Sequence, residues 1–297
     1  MLANPYEMCQ RHSARIELLK TAHWSKTVTP LLDQVHTERY TLPTGQEDAE
    51  RLRLLDQIYA PATEALLDQL ALRADSRVAD IGCGGGFMCA RFAARFASGV
   101  VTGVDANSQQ IEIARAYVHQ RKLDNVGFVT ASAYETGLPT GAFDLVFCRA
   151  LLCHLQRPID ALAEMRRLLK PGGTLLCEDL DAPAVPADSV MHALAEFDVR
   201  VGAALGIDFY IGPKLPKLFQ SVGIADPQIK FFQPVFLTGR QKRFVEYTYA
   251  AHMPFLIETG VATREEIETH LAALRNMNDD ETQAAAQFRL SQVWGRG

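Results

Sequence analysis

The sequence predicts an α/β fold: a doubly wound, mostly parallel seven-stranded sheet with an N-terminal helical cap and helical lid insertions. Three observations predict it. From residue 76 onward, short apolar runs alternate with helical patterns, as parallel strands joined by crossover helices require. A glycine-rich turn over residues 82–86 follows the first apolar run and opens a helix. Before about residue 70 the chain reads as helices without strands.

The elements follow in order. Leu52, Leu55 and Tyr59 recur at spacings of three and four, one face of a helix over 50–59. Pro61 suits the first turn of a second helix, where its missing N–H would have no partner in any case. That helix turns Ala65, Leu66 and Leu70 to the core, and residues 40–45 form a loop before these pieces. Strands are expected at 77–81, 100–104, 126–131, 145–148 and 174–177. Helices are expected over 87–96, after Asn107 as N-cap with Gln110 at the third helical position, and from Pro158 to the stop at Pro171-Gly172-Gly173. The alternation then breaks. A helix is expected around 191–201, another over 217–222, a strand at 228–235, and two more helices, the second opened by the capping box Thr263-Arg-Glu-Glu266. A final strand is expected at 287–294. This reading assigns 1–67 to the cap and 68–297 to the sheet domain, with lid insertions at about 183–216 and 241–284.

Composition narrows the function. The 297 residues are 48% hydrophobic and 22% charged, which suits a soluble globular protein and argues against wholesale disorder. A net charge of −5 disfavours the clustered cations that nucleic acid or anionic lipid would need, so neither partner is expected. No run of about 18 apolar residues predicts a spanning helix. The N-terminus lacks a basic region followed by an apolar core. Six cysteines, none in a CxxC pair, lie mostly in apolar runs. That usage fits a reduced cytoplasmic interior and gives no structural zinc site. The oligomeric state stays open, a homodimer included.

The most informative stretch is Val78-Ala-Asp80-Ile-Gly82-Cys83-Gly84-Gly85-Gly86-Phe87. Glycine is needed where the backbone must turn tightly and approach a ligand closely. The dinucleotide pattern GxGxxG is met at Gly82 and Gly84, but its third place holds Phe87. The order present is acidic-x-Gly-x-Gly-x-Gly, from Asp80 through Gly86. A pyrophosphate asks for a helix N-terminus and a third close-packed glycine. A sulfonium amino acid asks instead for an acidic group near its ammonium and a flat backbone path beside it.

These residues resemble the class I, Rossmann-like S-adenosylmethionine-dependent methyltransferases of small-molecule type. Three further stretches agree: Val101-Thr-Gly-Val-Asp105, Phe143-Asp-Leu-Val-Phe-Cys-Arg149-Ala-Leu-Leu-Cys-His154, and Arg166-Arg-Leu-Leu-Lys-Pro171-Gly-Gly-Thr-Leu-Leu. The resemblance covers about residues 60–181. It implies the fold, S-adenosylmethionine as cofactor and methyl transfer as the reaction class, and leaves the acceptor open. It places the cofactor on Asp80, Gly82, Cys83, Gly84 and Gly86, with Asp105 accepting the ribose hydroxyls and Ala106 beside it. Many relatives carry an Asp after the third strand for the adenine amino group. Here Ser132 takes that place, with the Ala133 N–H beside the ring. Arg149 would offer its backbone carbonyl to the methionine ammonium, with its side chain solvated. Tyr40 would either pack or close over the cofactor.

Blander roles stand beside these. Asp105 could cap the next helix, and Asp80 could brace the glycine turn. His154, the best single candidate for a catalytic base, could equally be a packing histidine. His192, His252 and His270 read as surface or lid residues. Glu178, Asp179 and Asp181 cluster after the fifth strand, where open-sheet proteins face polar groups to the crevice, and no metal is expected there. Phe197, Phe209, Tyr210, Tyr247, Tyr249 and Phe255 crowd the insertions, as in a lid over an apolar ligand. The expected reaction is in-line transfer to a small-molecule acceptor, driven by alignment and desolvation. A nicotinamide oxidoreductase and a non-catalytic module of the same fold are the alternatives.

Overall fold

Five apolar runs form the centre of the structure: β1 (Arg77–Ile81), β2 (Val100–Asp105), β3 (Val126–Thr130), β4 (Phe143–Arg149) and β5 (Leu169–Asp181). All five pair in parallel. Val78, Ala79, Ile81, Leu145 and Val146 are fully buried. Covered on both faces, such strands read as continuous apolar stretches rather than alternating ones. With β6 (Gln228–Phe232) and β9 (Arg289–Arg296) added, the sheet order is β3-β2-β1-β4-β5-β9-β6. The last strand, β9, inserts antiparallel between β5 and β6. The chain steps from β1 outward through β2 to β3, then returns to the other side of β1 as β4. That reversal opens a crevice at the carboxyl ends of β1 and β4, the standard ligand position in open α/β sheets.

This is a computed structural model, and it describes Leu42 and residues 46–182, 184–186 and 189–297. The chain divides into two units, Met1–Arg39 and Tyr40–Gly297. Everything described lies in the second, and Tyr40 and most of the expected cap fall outside the described residues.

Helices α1 (Gln46–Leu67), α2 (Phe87–Arg95) and α3 (Ser108–Gln120) cover one face of the sheet. They contribute Leu66, Leu67, Phe92, Ile111 and Ala114 to one core. The opposite core receives Leu162, Met165 and Leu168 from α4 (Pro158–Leu168). The two helices expected on either side of Pro61 are one helix, with Pro61 inside it. Pro61 is exposed, so its ring stands in solvent and its missing N–H forfeits a single backbone bond. Helix α4 ends at Leu168, ahead of Pro171, because Leu169 already pairs with Phe143. β5 therefore runs from Leu169 to Asp181, longer at both ends than the four residues expected.

The insertions fold as α5 (Val190–Leu205), α6 (Leu215–Ser221), α7 (Phe244–Glu258) and α8 (Arg264–Asp279), with a small ribbon of β7 (Val235–Phe236) and β8 (Ala285–Ala286). The strand expected through Val235 breaks after Phe232, near Pro234, which has no N–H to give a ladder. The capping box at α8 is half made. Thr263 Oγ1 accepts from the Glu266 N–H at 3.2 Å, while the Glu266 carboxylate pairs with Arg200 instead of reaching back. Among the described residues no helix is long and apolar enough to cross a membrane.

Candidate functional site

The glycine turn links β1 to α2. Gly82 and Cys83 donate their backbone N–H groups to the Val104 carbonyl, at 2.8 and 2.9 Å, which ties the turn to the end of β2. Gly82 has φ +74°, and a Cβ there would lie 2.9 Å from Leu151 Cδ1, just past β4. Gly86 has φ +73°, and its Cβ would fall 2.7 Å from that of Ala114 on α3. One position thus needs glycine for the crossing beneath the β4 exit, the other for seating α2 on α3.

Asp105 ends β2 and fixes this turn. Its Oδ2 accepts from the Gly84 N–H and its Oδ1 from the Asn107 N–H, each at 2.9 Å. A carboxylate has roughly four lone-pair sites, so two backbone bonds leave capacity for hydroxyl donors. Burial pushes the Asp105 carboxyl above the usual carboxylate range, and the two backbone N–H groups pull it back. Ala106, next in the chain, is exposed.

Asp80, at the end of β1, is 2% exposed and accepts from the Cys89 thiol on α2 at 3.1 Å. Burial pushes its carboxyl up to about 7. The Cys89 bond and the Arg149 guanidinium oppose the rise, while the Asp105 and Asp56 carboxylates add to it. Past the end of β3, Ser132 is exposed, and its Oγ accepts from the Tyr134 N–H at 3.2 Å. Ala133 is half-buried beside it.

Arg149 departs from expectation. Its side chain is not solvated but 6% exposed. It lies 3.2 Å from Asp56 Oδ1 on α1 and 4.0 Å from Glu178 Oε2 on β5. Thr63 Oγ1 donates to Glu178 at 2.7 Å, and Gln292 Nε2 donates to its other oxygen at 2.6 Å. Arg91 joins Asp56 to Glu64 at 2.8 and 2.7 Å. A buried ionic network thus pins α1 over the ends of β4 and β5. Ala150, the next residue, holds a left-handed φ of +49°, its N–H bonded to the Glu178 carbonyl at 2.8 Å. A non-glycine residue in that conformation is strained by about 1 kcal/mol or more, a cost that its surroundings offset. The sequence reading missed Asp56, Thr63, Arg91 and Gln292, because nothing local marks them.

The three acidic residues expected after β5 lie within it and diverge. Glu178 joins the network above. Asp179 accepts from the Leu152 N–H at 2.8 Å. Asp181 pairs with Arg289 and Ser291, each at 2.9 Å. They brace neighbouring elements instead of converging on one point.

His154 closes a short 3-10 turn after β4. Phe209 packs edge-on against it at 5.7 Å and tilts against His252 at 6.0 Å between ring centroids. Burial, with the Arg51 guanidinium adding to it, pulls His154 down to about 3. His252 is pulled down for the same reasons, with His154 contributing. His252 is half-buried on α7, within the expected lid insertion. His270 packs against Phe197 at 4.9 Å, and His192 is half-buried at the start of α5. Beyond them the Asp198 carboxyl receives the hydroxyls of Tyr210 at 2.7 Å and Tyr249 at 2.5 Å. Burial pushes Asp198 up to about 6.

Asp80, the glycine turn, Asp105, Ser132 and Arg149 all stand at the carboxyl ends of four adjacent parallel strands. That is where open α/β sheets bind their ligands. Comparison narrows the class: a family described as a methyltransferase domain matches residues 79–177. The 27-O-demethylrifamycin SV methyltransferase of Amycolatopsis mediterranei is 33% identical over 186 residues, 61% of this chain and 66% of that protein. The trans-aconitate 2-methyltransferase of Methylobacterium radiotolerans is 36% identical over 48% of this chain and 52% of its own. The crystal structure of YcgJ from Bacillus subtilis shares the fold with a TM-score of 0.54 at 20% identity, over 80% of this chain and 98% of that one. The chain spans between 40% and 66% of the length of such curated relatives. Residues 79–177 thus match a methyltransferase domain, and the sheet around them has the fold of the S-adenosylmethionine-dependent methyltransferases.

The residues present fit that cofactor. The turn leaves Gly82, Gly84 and Gly86 without side chains in left-handed conformations, and Asp105 keeps acceptor capacity beside them.

Proposed function

We propose that the chain transfers a methyl group to a small organic acceptor by in-line displacement, with alignment and water exclusion supplying most of the rate. Bound S-adenosylmethionine supplies an electrophilic methyl on sulfonium with a good thioether leaving group. Asp105 would receive the ribose hydroxyls, Asp80 would face the ammonium, and the glycine turn would let the backbone pass close to both. The observation that carries the reading is Asp105, held by two backbone N–H groups against the glycine turn at the switch point.

The cover supports a small acceptor. Phe209, His154 and His252 meet above the end of β4, and aromatic covers of this kind exclude water and position apolar ligands. Burial holds the His154 imidazole well below its usual range, so it is neutral at rest and a weak base. Two curated relatives are named as methyltransferases of 27-O-demethylrifamycin SV and of trans-aconitate. A nicotinamide cofactor fits less well. The third glycine place is Phe87, a buried ring packed edge-on against Tyr117 at 4.6 Å.

A thermal melt tests the reading. S-adenosylhomocysteine at a hundred times its Kd should stabilise the fold by about 2.7 kcal/mol, since it binds the folded state alone, whereas NAD should not. No shift with S-adenosylhomocysteine, or a shift with NAD in its place, removes the reading.

A further inference from the structure

Asn107 caps α3, its Oδ1 accepting from the backbone N–H groups of Gln109 at 2.9 Å and Gln110 at 3.2 Å. A Gln at the third helical position ordinarily reaches back to the N–H of the capping residue. Here that N–H is taken, because Asn107 donates it to Asp105 Oδ1. Gln110 is thereby displaced from its customary bond. Its side chain is nonetheless 4% exposed, and its Oε1 is enclosed without a hydrogen-bond partner. A buried amide carbonyl in that condition is costly, and the cost vanishes when a ligand supplies the donor.

The position says which ligand. Ile113 and Ala114, one turn further along α3, lie against the glycine turn. A Cβ on Gly85 would come within 3.6 Å of Ile113 Cγ2, and one on Gly86 within 2.7 Å of the Ala114 Cβ. Gln110 is one turn nearer the carboxyl ends of the strands, five residues after Asp105. A base attached to a ribose on Asp105 comes within its reach.

We propose that Gln110 reads the adenine of the cofactor. Its Oε1 accepts from the 6-amino group and its amide N–H donates to a ring nitrogen, the match of donor and acceptor by which Gln pairs with adenine. The proposal rests on the S-adenosylmethionine reading above. It moves the role away from Ser132, whose hydroxyl is exposed and already accepts from Tyr134. Gln110 is a binding residue and takes no part in moving the methyl group.

Calorimetric titration tests it with two probes: S-adenosylhomocysteine and the analogue carrying hydrogen in place of the 6-amino group. Wild type should prefer the adenine compound about tenfold, the scale of one hydrogen bond to a buried group. Gln110→Met keeps the length of the side chain without its acceptor, and should bind the two within about twofold. Melting curves check folding, and Gln110→Ala carries the same comparison should the Met variant not fold. Ser132→Ala should keep the wild-type preference. A Gln110 variant that keeps it, a wild type that binds both probes equally, or a Ser132→Ala variant that loses it each overturns the proposal. A wild type that binds neither probe overturns the cofactor reading as well, which tells the two failures apart.

Discussion

The two sides of the crevice are assembled differently. Over β1 and β2 the groups come from two short stretches, Asp80 through Gly86 and Asp105 through Gln110, joined by the Gly84–Asp105 bond at a separation of 21 residues. Over β4 and β5, the partners come from far along the chain. Arg149 meets Asp56 at a separation of 93 residues, Glu178 meets Thr63 at 115, and Tyr249 meets Asp198 at 51. A short motif can carry a fixed ligand site intact, because its geometry depends on little else. A site gathered from α1, α5 and α7 changes shape whenever one helix changes, as recognition of different acceptors requires.

The largest expected effect tests how firmly the distant side is tied down. Arg149→Met keeps the aliphatic stem and removes the cation from a network that is almost fully buried. Glu178 would keep Thr63 and Gln292, and Asp56 would keep Arg91, but the charge between the two carboxylates would be uncompensated. Loss of one member of a buried ion pair costs about 3–5 kcal/mol. Urea unfolding of the variant should show a loss in that range with m unchanged. A loss under about 1 kcal/mol would mean that α1 is held by its apolar face alone.

Next in size is the near side. Asp105→Ala removes the acceptor for the ribose hydroxyls and for two backbone N–H groups. Charge-assisted hydrogen bonds of this kind contribute roughly 1–3 kcal/mol to binding. Calorimetry should show affinity for S-adenosylhomocysteine weakened by that amount, with Arg149→Met, where folded, weakening it less. Unchanged affinity in Asp105→Ala would take Asp105 out of the site and with it the distinction between the two sides.

The same division governs what could be read from the sequence. The strand-helix alternation from residue 76 onward produced the sheet, because parallel strands buried on both faces leave unbroken apolar runs. Asp80, the glycines and Asp105 stand where the strand ends place them. Asn107 capped its helix as its position suggested, but the bond between Asp105 and the Asn107 N–H was invisible, so the unsatisfied carbonyl of Gln110 was too. The solvated Arg149 side chain failed because its partners lie on α1, a helix that returns from elsewhere in the chain. Pro61 misled because α1 continues through it, giving up one backbone bond, so the proline marks no helix start here.

The smallest effect concerns pH, and it separates the two sides most cleanly. Asp80 is pushed up to about 7 and His154 pulled down to about 3. A cofactor ammonium pairs with the ionised form of Asp80. Below pH 7 that form is depleted, and binding must first displace a proton. Affinity for S-adenosylhomocysteine should therefore rise about tenfold from pH 6 to pH 8, following the ionised fraction, with protons released on binding. Asp80→Asn should flatten that rise. His154 is already neutral across this window, whereas an unperturbed imidazole would titrate near 6.5. His154→Ala should therefore leave the slope of affinity against pH unchanged, and its single-turnover rate should fall by less than the factor of about 10² that marks a lost general base. A rate limb near pH 6.5 that persists in Asp80→Asn and disappears in His154→Ala would place the titrating group in the cover and assign the base to His154.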